Sequence, residues 1–71
     1  MILRDADELV EAMRARRREL GLTQEELANL AGIHRTQVVL YEKGERTFRV
    51  DVALRLLHAL GMDLELRTRG R

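Results

Sequence analysis

The sequence predicts a mainly α domain of four to five short helices, followed by one β-strand at its C-terminal end. Three observations predict it. Gly21, Ala31-Gly32, Gly44 and Gly61 each follow a stretch of helical patterning and supply its stop. Apolar residues within those stretches recur at three- and four-residue steps. Beyond Gly61 the period drops to two, with Met62, Leu64, Leu66 and Thr68 alternating with Asp63, Glu65, Arg67 and Arg69.

Asp5 or Asp7 caps a first helix that runs to about Leu20. Glu8 and Glu11 lie near its start and Arg16, Arg17 and Arg18 near its end, as the helix dipole favours. Leu9, Ala12, Met13 and Leu20 form its apolar stripe, interrupted at Arg16 and Arg17. Thr23-Gln24-Glu25-Glu26 has the form of a capping box, and Leu22 before it is placed to staple against Leu27. The helix it opens is short, because Ala31-Gly32 follows after barely two turns. A third helix starts near His34 or Arg35 and turns Val38 and Tyr41 inward. A polar loop from Glu45 to Arg49 leads to a fourth, whose stripe is Val50, Ala53, Leu54, Leu57 and Leu60. Residues 1–61 thus read as one helical domain and 62–71 as a strand and tail, with no repeat or low-complexity stretch.

Composition restricts the chemistry. A chain of 71 residues makes one small domain, and natural domains below about 80 residues usually need a staple. Cysteine is absent, so disulfides and thiolate metal sites are excluded and a partner chain remains the candidate. Without Ser or Cys the two commonest nucleophiles are missing. His34 and His58 have no neighbours at metal-ligand spacing, and there is no glycine-rich phosphate loop. A non-enzymatic protein without metal or cofactor is expected. No apolar run suggests a membrane span or a signal peptide, so a cytoplasmic protein with no membrane partner is expected. Net charge is only +1, yet twelve of the 13 basic residues are Arg, the side chain best matched to phosphates and guanine edges. A codon bias toward Arg accounts for the same excess without function.

The spacing from Gln24 to Ala28, Gly32 and Val38 is four, eight and fourteen residues. A helix pair that reads DNA needs a small residue where its helices touch and a glycine free for positive φ in the turn. It also needs an aliphatic residue on the inner face of the second helix. All three are present; the plain alternative is a helical hairpin in a small bundle. The stretch from Arg17 to Leu60 resembles the Cro/repressor-type (XRE-like) helix-turn-helix domains. The match is carried by Gly21 to Ala28, Ala31-Gly32-Ile33, Glu42-Lys43-Gly44 and Ala59-Leu60-Gly61. Within that family it looks most like HipB-type antitoxins, in the Leu9 to Met13 spacing and the strand directly after the fourth helix.

The resemblance implies roles. Arg35, Thr36 and Leu40 fall at base-facing positions of the helix that enters the major groove, with Gln37 and His34 beside them. Thr23, Gln24, His34, Lys43 and Arg46 fall at phosphate-facing positions, Gln24 at a positive helix end. Arg17 and Glu42 occupy the places of a structural ion pair between the first helix and the end of the third. Arg14, Arg16 and Arg18 read as a solvated face. His34 replaces the usual Ser or Thr cap. Val39 and Leu40 stand where relatives carry polar residues; contact with thymine methyls, packing against the surroundings of Tyr41 and contact with a partner protein are the alternatives.

An isolated strand leaves its own backbone groups unpaired. A second copy is the simplest partner. An antiparallel pair centred on Leu66 sets Glu65 against Arg67 and Asp63 against Arg69, each twice, and Met62, Leu64 and Leu66 then cover the helices. The expected function is a homodimeric repressor of a palindromic duplex-DNA operator. Its most specific form is an autoregulating antitoxin that binds a HipA-like kinase toxin. A protein-interaction module of the same fold without DNA binding is the alternative.

Overall fold

The computed structural model describes residues 2–70; Met1 and Arg71, the ends of the two expected units, lie outside the described residues. Four helices follow one another: α1 (Ala6–Glu19), α2 (Gln24–Ala31), α3 (Arg35–Lys43) and α4 (Val50–Ala59). Asp5 caps α1, its side chain accepting from the Glu8 N–H at 2.9 Å. Thr23 and Glu26 form the full capping box on α2, each side chain accepting from the other's backbone N–H at 3.0 and 2.8 Å. Each pair satisfies amides that a helix start leaves without partners. Between α2 and α3 the chain turns at Gly32 with φ +72°, a conformation that costs any residue with a Cβ. Ala28, 1% exposed, lets α2 approach its neighbours there.

The core lies where α2 packs on α3 and α4, and α1 closes over α3. Met13, Leu27, Ala28, Ala31, Val38, Tyr41, Val52, Leu56, Leu57 and Leu60 form one continuous cluster. Leu60 and Val38 are its largest fully enclosed side chains, each contributing about 1.5–3 kcal/mol by burial. Phe48, in the loop before α4, stacks on Tyr41 with ring centroids 4.2 Å apart and planes 17° from parallel. That loop is therefore pinned to the core by a face-to-face ring contact.

Two stripes differ from the sequence reading. In α4 the inward row is Val52, Ala53, Leu56, Leu57 and Leu60, whereas Val50 is 75% and Leu54 46% exposed. Ala53, Leu57 and Leu60 are inward as expected; the helix is apolar on most of its circumference, so packing takes Val52 and Leu56 in place of Val50 and Leu54. In α1 the buried row is Val10 and Met13, continued by the nearly enclosed Arg17. Leu20 is the C-cap, past the last helical residue, where the phase of the stripe no longer applies.

Residues 62–70 carry no strand, and no described residue does. The alternation is in the sequence, but a ladder exists only when a second strand supplies the partner groups. Met62 packs against the core, while Leu64 is half exposed and Leu66 stands 91% in solvent, so in the single chain the three do not jointly cover the helices. The departure of this segment from α4 is fixed. Gly61 turns at φ +68°, the Met62 N–H returns to the Leu57 carbonyl at 2.9 Å, and Arg16 Nε donates to the Leu60 carbonyl at 3.0 Å.

Candidate nucleic-acid interface

A polar network ties α1 to the helix pair. Arg17 forks onto Glu42, Nε to Oε2 at 2.7 Å and Nη2 to Oε1 at 3.0 Å, with both side chains about one-tenth exposed. Its remaining Nη1 donates to the Leu22 carbonyl at 2.8 Å, just before the α2 cap. Arg14 donates to the Glu42 backbone carbonyl, and its Nε lies 3.9 Å from the carboxylate. Gln24 Nε2 donates to Glu42 Oε1 at 3.1 Å. Burial pushes the Glu42 carboxyl up, but the hydrogen bonds from Arg17 and Gln24 and the charges of Arg17 and Arg14 outweigh it. They hold the group below its ordinary value of 4.5.

This network corrects two readings. Arg14 and Arg16 are not a solvated face: one reaches Glu42 and the other the end of α4, because both extend from the side of α1 that meets the rest of the chain. Arg18 alone of that trio is exposed. The Gln24 side chain is half-buried and already engaged with Glu42, which leaves the backbone N–H groups of the first turn of α2 as that helix end's own donors.

On α3, Val38 and Tyr41 point into the core and Glu42 toward α1. The side away from the core carries Thr36, Val39, Leu40 and Lys43, because residues three and four apart share a helix face, and Arg35 lies at its edge in the first turn. Arg35, Thr36 and Lys43 are exposed, as are His34, Thr23 and Arg46 around them. The His34 imidazole makes no capping bond; instead Gln37 Oε1 accepts from the His34 N–H at 3.2 Å. Gln37 thus spends its carbonyl on the helix start and keeps its NH2 group as a donor. Among the described residues, Arg14, Arg16, Arg17 and Arg49 pair with carboxylates; Arg35, Lys43 and Arg46 do not, nor do Arg4, Arg18, Arg55, Arg67 and Arg69, so it is their place on α3 and the turn after it that sets the first three apart. The surface of α3 and the turn after it is therefore a patch of uncommitted cations beside the positive end of α2.

Among the described residues no group of His, Asp and Glu side chains is arranged to hold a metal ion. No helix is long and apolar enough to cross a membrane.

Comparison with known proteins agrees with the architecture. Residues 13–66 match the helix-turn-helix family model. A protein of Methanothermobacter thermautotrophicus, described as an uncharacterized HTH-type transcriptional regulator, is 43% identical over 51 residues, 72% of this chain and 74% of its own length. Two solved structures, one known as MDT Protein and one a chain of the HipA-HipB-O2-O3 complex, superpose with a TM-score of 0.88. Each covers 99% of both chains at 23% identity, a level that speaks to fold alone.

Proposed function

The chain belongs to the XRE-type helix-turn-helix family and is a DNA-binding regulator, and from that premise we propose that it is a sequence-specific repressor acting on a near-palindromic duplex. The observation that carries this reading is the set of unpaired cations, Arg35, Lys43 and Arg46, gathered on the outer side of α3 and its following turn. Arg35 reads guanine through its fork on O6 and N7, with Thr36 and Gln37 beside it. Lys43, Arg46, Thr23, His34 and the first amide of α2 hold phosphates and set the register. None of these groups is arranged for covalent chemistry, and we read the protein as non-catalytic.

Two copies joined through residues 62–70 place two reading heads about 34 Å apart, one helical turn of DNA. Each head with about four phosphate contacts gives a slope near −7 for log affinity against log salt. Arg35→Ala is expected to weaken binding to a selected duplex by about 1–3 kcal/mol in gel-shift titrations and to relax the base preference at one position per half-site. Wild-type affinity for Arg35→Ala, or a flat salt response, would remove the basis for this reading. The antitoxin form, with a kinase toxin as partner, draws its support from the likeness to a chain of the HipA-HipB-O2-O3 complex. Co-purification with the product of a neighbouring kinase-like reading frame tests it.

A further inference from the structure

Val39 and Leu40 are the two residues on the outer face of α3 that the charged patch does not explain. Both are partly exposed branched aliphatics in the middle of that face, with Arg35 and Thr36 at one end and Lys43 at the other. The partly buried hydrophobics that pack against the core are Leu9, Leu22, Ile33, Phe48, Ala59 and Met62; Val39 and Leu40 are not among them. Each is largely covered but keeps part of its side chain in solvent, and groups suited to a polyanion flank the pair on both sides.

We propose that Val39 and Leu40 are specificity determinants that select thymine by its C5-methyl group at the centre of each half-site. This rests on the DNA-binding reading above and deepens it. In the major groove thymine alone among the four bases offers an apolar group; the other edges present only donors and acceptors. An edge of guanine, cytosine or adenine set against Leu40 loses water and gains no hydrogen bond, which disfavours it. A thymine methyl in the same place is shielded from water by Leu40 and Val39 and forfeits nothing. The charges argue for DNA over a protein partner as occupant, since Arg35 and Lys43 at the two ends of the same face suit a polyanion. Thr36, one turn before Leu40, adds its own methyl to the strip.

The test uses the full-length protein and a 24-base-pair duplex recovered by in vitro selection from a random pool. Each thymine is replaced in turn by deoxyuridine, which keeps base pairing and removes only the methyl. Wild type is expected to lose about fourfold in affinity at one or two positions per half-site, the weight of one buried methyl. Leu40→Asn is expected to bind the thymine and deoxyuridine duplexes equally, with a cooperative urea transition confirming that it is folded at the assay temperature. A protein that binds the selected duplex but never distinguishes thymine from deoxyuridine overturns the inference, as does a Leu40→Asn variant that still does. A wild type that enriches no sequence and binds no duplex overturns the DNA reading itself, and this inference with it.

Discussion

Glu42→Ala is expected to lose about 3–5 kcal/mol of stability in urea titration, because it strands the enclosed Arg17 guanidinium without its carboxylate. A domain of 71 residues has on the order of 4–10 kcal/mol in total, so the variant should lose a large share of its stability and unfold at a much lower urea concentration. Three elements meet at this carboxylate: α1 through Arg14 and Arg17, α2 through Gln24, and α3 as its own helix. The pH dependence follows from the same contacts. The folded-state pKa of Glu42 lies below its ordinary 4.5, so its contribution is fully present above that value and is lost as pH falls through the lower, folded one. Glu42→Gln keeps the shape but not the charge, and is expected to be less stable at neutral pH with a shallower decline in acid. Equal stability of wild type and Glu42→Ala at pH 7 would show that the pair does not hold the helices together.

A chain ending at Asp63 is expected to be monomeric by sedimentation at concentrations where the full chain is dimeric. Its affinity for a two-half-site duplex should fall by about 10²-fold or more, since the second head no longer binds as part of the same molecule. The cut belongs after Asp63 and not after Gly61. Met62 packs on the core and its N–H closes the end of α4, so losing it would confuse unfolding with dissociation. Thermal melts of the truncated chain at high concentration check that the helices survive. A truncated chain that remains dimeric would place the interface elsewhere, and the exposed Val50 and Leu54 of α4 would be the next surface to test.

Helix boundaries were legible because caps and stops act over three or four residues. Asp5, Thr23 with Glu26, Gly32 and Gly44 bond within their own turn, and no distant packing is needed to read them. The phase of α4 was not legible, since a segment apolar on most sides is oriented only by what it meets. Phe48 was hidden in a polar loop, and nothing local announces that a ring there stacks on Tyr41. Of the interface, the outward positions on α3 follow from Val38 and Tyr41 facing inward. The pairing of Arg17 with Glu42 followed from family likeness, not from periodicity. That Gln24 turns to Glu42, and that Arg14 and Arg16 reach across the fold, depends on distances between helices that a residue string does not contain.

The three arginines at 14, 16 and 17 have a mechanical consequence. α1, 14 residues and so about 21 Å long, grips the reading helices through Arg14 and Arg17 and the root of the tail through Arg16. The reading helices and the root of the tail are thereby tied to one strut. If two copies pair through their tails, as proposed above, the spacing of the two heads is set from the root of each tail outward, like the opening of a calliper. Adding or removing a single base pair between half-sites rotates one relative to the other by about a tenth of a turn, so such a dimer is expected to bind a duplex of altered spacing more weakly in gel-shift titrations.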